Sequence, residues 1–430
     1  MMATYAPAAG AVPQRTARRQ LAMVLFYAAT FLVSYNIWRI GGINLTISDV
    51  LFSVVLVILA ARSKLNPVPL GSMTAPWMLL FSTMMAGLFL GSLVNGDLSR
   101  WGIVAGQYTF SLLLLPMIFL AQPRAVLHGT MLAFVAGVTA MQFVGIAAYY
   151  LFPSANAASA MLGHDFVTPA GRLGSFVGEA NWNGVMIATA LQFVIYCVRA
   201  RIVPQWLALA VGTTLAWALL LTGSFTAFSA ALIGGIINVV VGRALPSAKI
   251  MVAAVLLATV LWQTGYTVPD VFARRVGGAY QSGDLQQAGT FSGRKELVIE
   301  AWRKVEDTTI IGMGVDEYRE WSDSNAPVHN IYLLLWAEGG VLALVGWLGI
   351  LFILFMIPIS AWRIDRLAAA LGCSTGAIFV IVSIATPHMF GRLWIVPLLI
   401  ACGIALRANR YRLIPLHRDQ LAEPSAEKWA

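Results

Sequence analysis

Charge is scarce in this sequence. Only 11% of its 430 residues are Asp, Glu, Lys or Arg, while 59% are hydrophobic. A soluble domain carries about 25% charged residues. The shortage excludes a chain divided into soluble domains; the length divides instead into membrane spans, each needing about 20 mostly apolar residues. Cysteine is scarcer still. Cys197, Cys373 and Cys402 all lie in apolar runs, and no disulfide is expected among them. Several chemical signatures are missing as well. There is no Asp-x-Asp pair to hold a nucleotide-sugar metal, no His-Glu-x-x-His zinc helix and no Walker loop. Nothing in the sequence suggests a bound cofactor. A cleavable signal is also not expected, because Leu21–Ile40 is span-length and lacks a small-residue cleavage site.

What is present is apolar and periodic. Runs lie at Leu21–Ile40, Ile43–Ala61, Pro76–Val94, Ile103–Leu120, Val126–Tyr149, Trp182–Cys197, Trp206–Leu221 and Phe225–Val241. Four more follow at Ile250–Trp262, Ile331–Ile357, Leu367–Ile384 and Leu393–Leu406. These predict an all-α polytopic membrane protein with about twelve transmembrane helices.

The basic residues orient it. Cytoplasmic loops are enriched in Lys and Arg. Arg15, Arg18 and Arg19 precede the first run; Arg62 and Lys64 follow the second, and Arg124 the fourth. Arg199 and Arg201, Arg243 and Lys249, and Arg363 and Arg366 follow the sixth, eighth and tenth. Arg407, Arg410, Arg412 and Arg418 follow the last. This alternation predicts a cytoplasmic tail at 1–20, a membrane domain at 21–406 and a cytoplasmic tail at 407–430. The net charge of +9 is then mainly a matter of topology, with no nucleic-acid partner implied.

Two connections on the opposite side are long, about 153–181 and 265–328. Long loops beside compact helices are usually functional or disordered. The first ends Gly171-Arg172-Leu173-Gly174-Ser175 and continues to Glu179-Ala180-Asn181-Trp182. It reads either as an interfacial turn with a Trp anchor or as an anion site built on Arg172. The second carries Arg274-Arg275, Ser292-Gly293-Arg294 and Gly312-Met313-Gly314, with an amphipathic helix predicted over Glu296–Lys304. It ends at His329-Asn330, directly before a long apolar run. On a helix, Glu338 falls on nearly the opposite face from His329 and is a poor direct partner for it. An intramembrane carboxylate is nevertheless a functional suspect. His388 and Arg392 occupy another outward turn.

In order and placement these pieces resemble the O-antigen polymerase and ligase family, which includes exopolysaccharide polymerases. The matching elements are Arg172-Leu-Gly-Ser-Phe…Asn181, Leu221-Thr-Gly-Ser224, Ser292-Gly-Arg294, Gly312-Met-Gly314, His329-Asn330-Ile-Tyr332 and Glu338-Gly-Gly340. The resemblance implies a bacterial inner-membrane enzyme that needs no metal. It would transfer a glycan from undecaprenyl diphosphate on the periplasmic side. By motif, Arg172 and Arg294 bind the diphosphate, grouped with Arg274 and Arg275, and His329 orients or deprotonates the acceptor hydroxyl. Glu179, Asn181, Asn330, Glu338, His388 and Arg392 are expected to support them. A polymerase adds the glycan to the next lipid-linked repeat unit; a ligase adds it to lipid A–core. Two extended outer loops that could hold two lipid-linked chains favour the polymerase. Polysaccharide chain-length and export proteins are the implied partners. A lipid-linked glycan transporter is the rival class, but it would place its polar groups along a midplane pathway. One departure stands out: relatives often carry Ser-Arg where this chain has Ser224-Phe225.

Overall fold

A computed structural model of the chain describes residues 12–39, 45–243, 269–283, 291–307, 309–323 and 325–408. Most of both predicted tails, and the ninth apolar run at Ile250–Trp262, lie outside the described residues. Each of the other eleven apolar runs contains a helix, although the helix of the first ends at Leu32 and that of the second starts at Ile47.

In chain order the helices are α1 (Val12–Leu32), α2 (Ile47–Ala61), α3 (Thr74–Asn95), α4 (Leu98–Phe119) and α5 (Arg124–Leu151). Next come α6 (Ala155–Leu162), α7 (Ala180–Arg199), α8 (Gln205–Thr222), α9 (Phe225–Gly242) and the short α10 (270–282). The last five are α11 (Phe291–Asp307), α12 (Glu317–Trp321), α13 (Ile331–Ala361), α14 (Arg366–Ser383) and α15 (Arg392–Ala408). Among the described residues, eight helices are long and apolar enough to cross a membrane: α3, α4, α5, α7, α8, α9, α13 and α14. Together with the absence of β-strands among those residues, this makes the chain an all-α polytopic membrane protein.

Inside a bilayer, apolar burial does little to join helices, because lipid tails are as apolar as leucine; close packing and buried polar contacts do the work. The most extensive pair, α3 with α13, follows that rule. A Cβ added at Gly87 would stand 2.5 Å from the Gly339 carbonyl oxygen, and one at Gly91 would stand 2.3 Å from that of Glu338. Only glycine lets these backbones approach so closely. Polar side chains join other pairs. Gln142 and Asn183 bond reciprocally at 2.6 and 3.2 Å between α5 and α7. Asn238 on α9 donates to Gln192 on α7 and to Ser374 on α14 at 2.7 and 3.0 Å.

Helix-interior prolines free carbonyls that other residues then take up. Pro116 cannot donate to the Leu112 carbonyl one turn back, and α4 relaxes through a π-turn over Phe110–Leu114. The Trp77 indole donates to that Leu112 oxygen at 2.8 Å. Pro358 likewise frees the Leu354 carbonyl, and the Cys402 thiol donates to it at 3.7 Å. Helix α13 is also broken at Gly340, whose φ of 66° and ψ of −168° suit glycine alone. The polar loop docks into this break. Met313 N–H donates to Ala337 O at 2.9 Å, Gly314 N–H to Glu338 O at 3.0 Å, and Val341 N–H to Thr309 O at 3.0 Å.

The turn at 384–391 is pinned from beneath. Arg392 makes a bidentate pair with Asp49 on α2 and donates to Gln107 on α4. The two charged side chains are 8% and 1% exposed, so neither can turn to water. Asp49→Ala is expected to cost about 3–5 kcal/mol, because it strands a buried guanidinium. Thermal unfolding in detergent should show a large drop in Tm. An unchanged Tm would mean that the pair carries no structural weight.

Candidate active site

The loop before α7 is shaped by its own hydrogen bonds. Arg172 N–H donates to Thr168 Oγ1 at 3.1 Å, and Thr168 N–H returns to Arg172 O at 2.8 Å. A Cβ at Gly174 would stand 2.1 Å from Asp165 O, so the chain can fold back there only through glycine. Leu173 N–H donates to Leu221 O on α8 at 3.0 Å, and Asn183 on α7 donates to Leu173 O at 3.0 Å. The backbone on either side of Arg172 is therefore fixed before its side chain is considered.

That side chain reaches the end of α8. Arg172 Nε donates to Thr222 O at 2.8 Å, and Nη2 donates to Asn181 Oδ1 at 2.7 Å. From the other long loop, Arg275 Nε donates to the next carbonyl, Gly223 O, at 3.2 Å. A helix C-terminus carries unsatisfied carbonyls and partial negative charge, which favour cations. Here one helix end gathers two guanidiniums from segments about 100 residues apart. Gly223, at φ 55°, makes the left-handed turn that presents the carbonyls.

Asn181 links this cationic corner to a pocket. Its Oδ1 also accepts from Ser224 Oγ at 3.0 Å, and its Nδ2 donates to Glu179 Oε1 at 2.8 Å. Glu179 Oε2 accepts from Trp182 N–H at 2.7 Å, capping α7. Glu179 and Asn181 then line a pocket of about 170 Å³ together with His329, Thr226 and Thr386. The hydrogen bonds run from Arg172 through Asn181 to Glu179, and the pocket places His329 beside them. Sequence spacing alone could not supply this arrangement.

Residues 208–348, about a third of the chain, match the O-antigen ligase family. This match supports the O-antigen polymerase and ligase family for the chain. No curated protein matches it. The family segment runs from α8 into α13, so it takes in the Thr222–Ser224 turn, both cationic stretches of the long loop and His329.

The remaining residues singled out in the sequence fall in different places. Arg274 is exposed beside Arg275. Arg294 is the fourth residue of α11; its side chain lies outside the described residues. The predicted amphipathic helix is this α11, with Leu297, Ala301 and Val305 buried and Trp302 outward. Asn330 caps α13, its Oδ1 accepting from Tyr332 and Leu333 N–H at 3.0 and 3.2 Å. Glu338 turns to the docked loop: its Oε1 accepts from Asp316 N–H at 3.0 Å. Gly312 has a packing role, since a Cβ there would lie 2.1 Å from Glu338 O. His388 sits on the turn that also carries Thr386, but it belongs to a second charged group with Asp316, Arg319 and Arg100, in which Arg100 pairs with Asp316. Burial lowers the His388 pKa, opposed by Asp316 and reinforced by Arg319 and Arg100. Arg392 is a buttress beneath that turn. Its partners Asp49 and Gln107 are residues that sequence reasoning missed. A lone carboxylate inside the second apolar run was the available signal.

Proposed function

We propose that this protein transfers a glycan from an undecaprenyl-diphosphate-linked oligosaccharide to a sugar hydroxyl on the periplasmic side of the bacterial inner membrane. The observation that carries the reading is the convergence of Arg172 and Arg275 on the end of α8, joined through Asn181 to the pocket that holds His329. The acceptor oxygen attacks the anomeric carbon, and the bond from that carbon to the diphosphate oxygen breaks. His329 takes the hydroxyl proton on a ring nitrogen; imidazole is suited to base work near pH 7. The departing diphosphate gains negative charge, which fixed guanidiniums in a site of low dielectric stabilise. Asn181 holds the Arg172 fork towards the pocket. Arg275 provides a guanidinium at the turn where relatives carry Arg after Ser224. Arg294 belongs to the same diphosphate site, on a segment of the same loop.

The acceptor is taken to be a second lipid-linked glycan, which makes the protein a repeat-unit polymerase working beside chain-length and export proteins. The alternative is an O-antigen ligase, whose acceptor is lipid A–core. The surface glycan of a deletion strain separates the two. Loss of chain length, with single repeat units still attached to lipid A–core, is the result expected for a polymerase. Long chains stranded on undecaprenyl diphosphate would instead assign the ligase reaction.

A further inference from the structure

Between α5 and α8 lies an open groove of about 630 Å³. Phe143, Ile146 and Ala147 form one wall, and Leu209, Thr213 and Trp217 part of the other. Phe143 is 70% exposed and Leu209 42%, so the groove opens outward along two membrane-crossing helices. Its two threonines spend their hydroxyls within their own helix: Thr213 Oγ1 donates to Leu209 O at 2.8 Å and Thr214 Oγ1 to Ala210 O at 3.0 Å. The walls are thus hydrocarbon and aromatic.

What lies above this groove decides its occupant. Helix α5 ends where Tyr149 OH donates to Gly171 O at 3.1 Å, next to Arg172. Helix α8 ends at Thr222 and Gly223, whose carbonyls hold Arg172 and Arg275. At about 1.5 Å per residue, Trp217 lies about 8 Å and Leu209 about 20 Å below Thr222 along the α8 axis. The groove therefore starts just beneath the guanidiniums and runs down through roughly one leaflet of a hydrocarbon core about 30 Å thick. An apolar channel with clustered guanidiniums at its head fits an amphiphile that carries concentrated negative charge on one long chain. Two guanidiniums on adjacent carbonyls, with Arg274 beside them, match a diphosphate better than the single phosphodiester charge of a bulk phospholipid.

We infer that the α5–α8 groove seats the polyisoprenoid chain of the lipid-linked donor, with its diphosphate at Arg172 and Arg275; the inference rests on the transfer reaction proposed above. Because lipid competes for any apolar wall, the groove contributes mainly by packing and by aligning the chain under its head group.

Ala210→Trp and Thr213→Trp fill the groove from an exposed helix face without emptying a core. In nanodiscs, each should raise KM for an undecaprenyl-diphosphate donor about tenfold, equivalent to about 1.4 kcal/mol. KM for a donor with a single isoprene unit, too short to enter the groove, should not change. Equal effects on both donors, or none on either, would overturn the groove assignment. A second measurement does not depend on turnover. Polyprenyl diphosphate with a photoreactive group in its tail should label α5 and α8 peptides, and excess phosphatidylglycerol should not compete. Labelling elsewhere, or competition by the phospholipid, would overturn the assignment. If labelling succeeds but wild-type protein transfers no glycan from either donor, the groove stands and the proposed reaction falls.

Discussion

Replacing His329 with alanine is expected to lower glycan transfer by about 10²–10⁴-fold, the range for loss of a positioned general base. The fold should survive. His329 is only partly buried, and the cap that starts α13 is supplied by its neighbour, Asn330. The loss should fall on the chemical step, leaving retention of the lipid-linked donor close to wild type. Single-turnover transfer by purified variant and wild type, matched for folded protein, checks this. Near-normal turnover by His329→Ala would remove the proposed base. It would also admit a non-catalytic assembly role, for which this residue is dispensable.

Arg172→Ala is expected to lower kcat/KM for the donor by about 10²–10³-fold, the usual scale for removing one preorganised charge-stabilising donor. Arg172→Lys should rescue little. The guanidinium donates to Thr222 O and Asn181 Oδ1 in two directions at once, and an ammonium cannot reproduce that fork. Arg275→Ala and Arg294→Ala should impair the same step. If guanidiniums neutralise the leaving group as proposed, transfer should persist in EDTA. A strict divalent-metal requirement would hand the charge-stabilising role to acidic residues such as Glu179 or Asp316. Lysine variants as active as wild type would mean that point charge suffices, and the bidentate argument would fail.

The helices were legible because length and apolarity dictate them. Each run from Pro76–Val94 to Phe225–Val241 reappears as a helix shifted by only a few residues at its ends. Residue type also drew attention to Arg172, Asn181 and His329. Their meeting place could not be read, because the two arginines are positioned by backbone carbonyls, and every residue carries one. The Asp49–Arg392 pair was hidden by a separation of 343 positions. Helical periodicity put Glu338 on nearly the opposite face from His329; in the structure its Oε1 accepts from Asp316 N–H of the docked loop. The Glu338-Gly-Gly340 motif was visible in the sequence, but not that its last glycine breaks the helix and receives the polar loop.

The most direct test is reconstitution of the purified protein with an undecaprenyl-diphosphate-linked oligosaccharide and a glycan acceptor. The expected result is release of undecaprenyl diphosphate in step with a longer or newly transferred glycan, and loss of both products in Arg172→Ala and His329→Ala. Movement of the intact lipid-linked sugar across the membrane, with no glycosidic bond made, would contradict the account and make the protein a transporter.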